Sequence, residues 1–180
     1  MTGLLGNSAP SVITADGIAF AFGGFPKLGA AAVSLGGKGD VTATHLLWSS
    51  NNSTYVPTPV SHKGRLYFAS DAGFATCINA KTGALIFKER LPGASTSDRG
   101  GKPFYASVVL AGDRVYAVSR RNGVFVFAAE PEFKVLAQNT IGDDETDFNA
   151  TPALSGGQLS LRSNRTLYCI TQSPSNDPRK

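Results

Sequence analysis

The chain has 180 residues, 42% of them hydrophobic and 17% charged, a globular balance that excludes a disordered or fibrous protein and requires no more than one domain. Its net charge of +4 is scattered, with Arg120-Arg121 and Arg179-Lys180 as the densest basic pairs, so the patch or stripe of a nucleic-acid binder is missing and no nucleic acid is expected as a partner. No run of about 18 apolar residues offers a membrane span, and Met1-Thr2-Gly3-Leu4-Leu5-Gly6-Asn7 has neither the basic segment nor the apolar core of a secretory signal.

Read from the first residue, one pattern returns four times: a Pro, Ala or Thr, a short apolar strand, a Gly turn and a second apolar strand. It opens as Ala9-Pro10-Ser11-Val12-Ile13-Thr14-Ala15-Asp16-Gly17-Ile18-Ala19-Phe20 and returns as Val56-Pro57-Thr58-Pro59-Val60-Ser61-His62-Lys63-Gly64-Arg65-Leu66-Tyr67-Phe68. The third copy is Ala106-Ser107-Val108-Val109-Leu110-Ala111-Gly112-Asp113-Arg114-Val115-Tyr116-Ala117, and the fourth is Ala150-Thr151-Pro152-Ala153-Leu154-Ser155-Gly156-Gly157-Gln158-Leu159-Ser160-Leu161. Turn positions 17, 64, 113 and 157 set the copies 47, 49 and 44 residues apart, a period that holds several strands and is produced by stacked propeller blades.

Unit one continues with a third strand at Ala30 to Leu35, a loop enlarged by Gly36-Gly37-Lys38-Gly39-Asp40, and a fourth strand at His45 to Trp48. In unit two, Asp71-Ala72-Gly73 turns the chain into a third strand, Phe74 to Asn79, and Ala80-Lys81-Thr82-Gly83 leads to a fourth, Ala84 to Phe87. Unit three turns at Arg121-Asn122-Gly123 into Val124 to Ala128, and unit four turns at Ser163-Asn164-Arg165 into Thr166 to Thr171. Turn residues Lys63-Gly64, Gly112-Asp113 and Gly156-Gly157 supply the positive φ of hairpins, and Pro92-Gly93 with the Ser and Gly content breaks every candidate helix.

The expected architecture is therefore all-β: a β-propeller of four-stranded antiparallel blades, four blades per chain, at 9–48, 55–91, 104–141 and 148–171, followed by a flexible tail over 172–180. Unit four lacks a fourth strand, and Thr2-Gly3-Leu4-Leu5 has the form of Thr82-Gly83-Ala84-Leu85, so residues 2–5 are expected to complete that last blade and cover its edge. Cys77 and Cys169 occupy matching places on separate blades, too far apart for a disulfide, and both read as buried small apolar residues.

Unit two from Pro57 through Gly73, continuing through Asn79-Ala80-Lys81-Thr82-Gly83 to Phe87, resembles the PQQ-like (pyrroloquinoline-quinone-like) repeat. Asn79 stands where the family has Asp, Phe87 where it has Trp, and Trp48 holds the Trp place of unit one. The stretch Phe148 to Cys169 looks like the last blade of bacterial PQQ-like repeat proteins, and the resemblance spans residues 8 to 171. Four blades can close a ring by themselves, but the resemblance implies a ring of seven or eight, so that four blades here would complete an eight-bladed ring as a homodimer or belong to the C-terminal half of a longer protein. It also implies a periplasmic or exported location.

Pyrroloquinoline quinone and calcium enter as cofactors by this resemblance alone, because the acidic and amide ligand set and the base Asp of the quinone-dependent dehydrogenases have no matching set here. The run Gly142-Asp143-Asp144-Glu145-Thr146-Asp147-Phe148-Asn149 offers metal candidates in Asp143, Asp144, Glu145 and Asp147, since hard cations draw several oxygens from one loop. Its spacing is not that of an EF-hand, and a solvated inter-blade loop accounts for it without an ion. His45 and His62 have no third ligand in register for zinc, and no G-x-S-x-G elbow marks a serine nucleophile. The expected function is a non-enzymatic scaffold, of the general kind that WD40 propellers provide, binding a protein, peptide or glycan through its loop face. The alternative is an enzyme on that face, a hydrolase or a remnant of a PQQ-dependent dehydrogenase.

Overall fold

The computed structural model describes residues 7–94 and 101–171. Among these residues fifteen strands form four antiparallel meanders in chain order. Blade 1 holds β1 (Ile13–Ala15), β2 (Ile18–Gly23), β3 (Gly29–Ser34) and β4 (Leu46–Ser50); blade 2 holds β5 (Val60–His62), β6 (Arg65–Ala69), β7 (Phe74–Asn79) and β8 (Leu85–Arg90). Blade 3 holds β9 (Val109–Ala111), β10 (Arg114–Val118), β11 (Val124–Ala128) and β12 (Val135–Asn139), while blade 4 has three strands, β13 (Ala153–Ser155), β14 (Gln158–Arg162) and β15 (Leu167–Thr171). The expected strand at residues 2–5 falls outside the described residues.

Local chemistry explains the meander. Lys63 and Gly64 both take positive φ (48° and 70°), the two-residue turn whose twist matches the flanking strands, and the resulting register pairs His62 with Arg65. Asp16-Gly17 and Gly156-Gly157 repeat that geometry. At the opposite end a buried serine closes the second-to-third strand turn of blades 2, 3 and 4: the Ser70 hydroxyl accepts the Phe74 amide at 3.2 Å, Ser119 accepts Asn122 at 3.1 Å, and Ser163 accepts Thr166 at 2.9 Å. A register shift falls between third and fourth strands in each of the three complete blades, at Ala32/Val33, Cys77/Ile78 and Val126/Phe127, a repeated bulge that bends the outer strand.

Strand alternation then decides the packing. In β6, Leu66, Tyr67, Phe68 and Ala69 are all buried, because successive side chains point to opposite faces and both faces meet another blade. Leu66 and Phe68 join Phe20, Phe22 and Trp48 between blades 1 and 2, and Tyr67 and Ala69 join Phe87, Phe104, Phe125 and Phe127 between blades 2 and 3. A smaller core of Val118, Val124, Phe148 and Leu161 joins blades 3 and 4. Trp48 crosses a junction, donating its indole N–H to the Ala80 carbonyl at 2.9 Å and lying against Gly83. The three cores link the blades in series, and none joins blade 4 back to blade 1 among the described residues.

Two expectations need correction. A four-residue helix, α1 (Thr42–His45), precedes β4, where no helix was expected; the Asp40 carboxylate accepts the Thr42 amide at 3.0 Å and hydroxyl at 2.7 Å and starts this single turn. Cys77 is buried as expected, but Cys169 is exposed, because it points to the side of blade 4 that no other described blade covers. Both thiols are free, and burial pushes that of Cys77 up to about 11.

Candidate functional site

The loops between blades and the serine turns gather at one end of the molecule, and their side chains are most organised at the junction of blades 3 and 4. Phe148 donates its amide to the Arg120 carbonyl at 2.9 Å, and Asn164 donates to the Asp147 carbonyl at 3.0 Å, which laces the loop before β13 to both neighbouring turns. The Asp147 carboxylate sits between two guanidiniums: Arg120 bonds one oxygen, and Arg121 donates its Nε–H to the other at 2.6 Å. Arg120 also donates to the Asn149 side-chain oxygen at 2.9 Å and lies 4.8 Å from the Tyr105 ring centre, a cation–π contact. Burial pushes the Asp147 carboxyl up, but the Arg121 hydrogen bond and both arginine charges outweigh it and hold the group below the usual carboxylate range.

Asp144 is satisfied differently. One oxygen accepts the Thr146 amide at 2.9 Å and its hydroxyl at 2.5 Å, and the other accepts the Tyr168 hydroxyl at 2.6 Å. Hydrogen bonds from Ser163, Thr146 and Tyr168 hold this carboxyl far below the ordinary carboxylate range. A carboxylate depressed by folding contributes stability above its unfolded value, near 3.9, and that stability is lost as pH falls toward the folded value. Denaturant midpoints measured from pH 7 to pH 3 should therefore fall, and Asp144→Asn should flatten the fall; an unchanged slope in the variant would contradict this role for Asp144.

Of the four metal candidates, Asp143 is exposed, Glu145 and Asp144 line a cavity, and Asp147 is held by the arginines. No group of three His, Cys, Asp or Glu side chains converges on one point among the described residues. The Asp147 oxygens are engaged by guanidiniums and those of Asp144 by amide and hydroxyl groups, and Asp143 and Glu145 do not converge with them on one point, so these residues do not fit the calcium of a quinone site. His62 bonds Asp113 at 2.8 Å, and Lys63 bonds the same carboxylate oxygen at 2.7 Å, at the opposite, hairpin end between blades 2 and 3.

The cavity at the junction has a volume of about 180 Å³, with Val118, Val124, Ile141 and Phe148 on its apolar side and Arg121, Asp144 and Glu145 on its polar side. Small-molecule sites commonly span about 300–1,000 Å³, so this cavity matches one side chain of a larger partner. The acidic run pointed sequence reasoning to this loop but not to the cavity, whose floor comes from β10 and β11, far away in the chain.

Sequence reasoning missed a second feature. The Ser11 amide donates to the Thr58 hydroxyl at 3.0 Å, the Thr58 amide to the Ser107 hydroxyl at 2.9 Å, and the Ser107 amide to the Thr151 hydroxyl at 3.1 Å. Each of blades 1 to 3 thus hands one hydrogen bond to the next from the residue two positions before its first strand. The signal was present, since every repeat carries Ser or Thr at that position.

Four meanders packed face to face in series define an arc of β-propeller blades of the PQQ-like kind. The family described as outer membrane protein assembly factor BamB matches residues 38–131, just over half the chain, and the protein belongs to this family. No curated protein matches the chain by sequence. Among solved structures, BamB from Moraxella catarrhalis aligns with a TM-score of 0.64 at 10% identity over 89% of this chain and 41% of its own. Quinohemoprotein alcohol dehydrogenase ADHIIG from Pseudomonas putida HK5 aligns at 0.60 with 14% identity, over 88% of this chain and 28% of its own. The computationally designed Ika4 protein aligns at 0.60 with 8% identity, over 94% of this chain and 98% of its own. These likenesses establish the fold, and the chain spans less than half the length of the two natural proteins it resembles.

Proposed function

We propose that the chain is a protein-binding propeller scaffold that works without pyrroloquinoline quinone or calcium, is located in the periplasm or at the outer membrane, and pairs with a second copy of itself. The observation that carries the binding reading is the cavity between blades 3 and 4. It is sized for a single side chain, floored by apolar residues and rimmed by Arg121 and Glu145. An extended peptide or loop that inserts one aliphatic side chain between charged flanks suits it, in the manner of an anchor residue surrounded by a polar rim. The description of the family as an assembly factor of the outer membrane supports both the binding role and the location.

The test is selection of a displayed peptide library against the wild-type protein, followed by titration of the enriched peptides. Peptides with one dominant aliphatic position are expected, and Glu145→Lys, which reverses a rim charge without touching the Arg121–Asp147 pair, should weaken them severalfold while leaving the melting temperature within about 2 °C. Stoichiometric binding of pyrroloquinoline quinone with calcium, read by quinone absorbance, would overturn the scaffold reading in favour of an enzyme.

A further inference from the structure

The ladder from Ser11 to Thr151 has two open ends. At one end the Ser11 hydroxyl is an acceptor with no preceding blade, and at the other the Thr151 amide is a donor with no following blade among the described residues. Both end residues are exposed, whereas Thr58 and Ser107 within the ladder are half-buried. The open groups complement each other in the sense already used at three junctions, amide of one blade to hydroxyl of the next.

The sheet faces at the two ends also differ from the interior junctions. Phe20, Tyr67 and Tyr116 are the second-strand side chains that blades 1, 2 and 3 present to the next blade, and the matching residue of blade 4 is Ser160, whose cross-strand neighbours are Ala153 and Cys169. Blade 1 offers small residues on the face that no other described blade covers, with Ala19 opposite Val33 and Ala21 opposite the buried Ala31. A contact between these faces lacks an aromatic core, which suits association of separate chains better than a permanent intramolecular junction.

We propose, resting on the pairing reading above, that blade 4 of one copy docks on blade 1 of a second copy, with the Thr151 amide donating to the Ser11 hydroxyl across the junction. A twofold axis satisfies both open ends of both chains at once and yields a closed ring of eight blades, an allowed point group. The four blades span 98% of the Ika4 chain but only 41% of the Moraxella catarrhalis BamB chain, so this arrangement of blades also occurs within a chain more than twice as long.

Sedimentation equilibrium of the 180-residue chain tests the proposal. Wild type should reach a mass about twice 18.8 kDa in a concentration-dependent manner. A net hydrogen bond contributes a factor of about 2–13, and the ring has two such junctions, so Ser11→Ala should weaken pairing about 4- to 170-fold. Ser160→Arg, at the centre of the docking face, should leave a folded monomer, and Lys81→Ala in an exposed turn of blade 2 should pair like wild type. A wild-type monomer at every concentration overturns both pairing and junction. A dimer unaffected by Ser11→Ala and Ser160→Arg overturns the junction while pairing stands, and masses growing beyond two chains overturn the closed ring.

Discussion

Replacing Phe125 by alanine should destabilise the protein by about 3–5 kcal/mol, a large part of the total stability of a domain this size. Phe125 is fully buried within the largest core, which residues of blades 2 and 3 build together, and packs on Phe104 with ring centres 5.9 Å apart. The cavity would open where sheets on both sides are already fixed by their own hydrogen bonds, so collapse around it is limited. Phe25→Ala supplies the contrast: its ring lies 5.3 Å from that of Tyr55 but is 53% exposed, and the loss should stay below about 1 kcal/mol. Denaturant unfolding with fluorescence detection measures both; comparable losses in the two variants would contradict the placement of the core.

Gly123→Ala should cost about 3 kcal/mol, for two reasons that add. The residue holds φ at +83°, where a Cβ costs roughly 1–2 kcal/mol, and that Cβ would stand 2.2 Å from the Asn139 carbonyl oxygen, so β12 would have to move. Because Gly123 lines the cavity and follows the Ser119 turn, the variant should also lose peptide binding at the blade 3–4 junction. Gly112→Ala isolates the backbone contribution: its φ is +56° with nothing within 4 Å of the added carbon, and about 1 kcal/mol is expected. Equal effects of the two substitutions on the unfolding midpoint would show that the Asn139 contact does not matter.

The parts legible in the sequence were those set by local rules. Glycines such as Gly64 and the Gly156-Gly157 pair announce positive φ by residue type, whereas Lys63 at +48° does not, and the third strand of unit two, Phe74 to Asn79, matches the observed β7 residue for residue. Burial on both faces of β6 was less plain, because Leu66-Tyr67-Phe68-Ala69 is apolar throughout and alternation marks a strand only when one face is wet. Helix α1 escaped because one Asp40 side chain, rather than any helical period, starts it. Cys169 was misplaced by analogy with Cys77: equivalent positions share a burial only where a further blade covers them.

The candidate site was legible only in part. The acidic run marked the correct loop, but Asp147 and Asp144 owe their roles to Arg120, Arg121 and Tyr168, 20 or more residues away in the chain, and no local pattern announces such pairings. The hydroxyl ladder depends on how blades meet, although a Ser or Thr heads each repeat.

The central proposal is that the four described blades form an open arc that a second copy of the chain completes into a ring. Small-angle scattering tests this most directly. A hollow, ring-shaped particle of about twice 18.8 kDa is predicted at high concentration, giving way to an asymmetric arc on dilution. A compact 18.8 kDa particle at all concentrations, with the dimensions of a closed four-bladed ring, would contradict it.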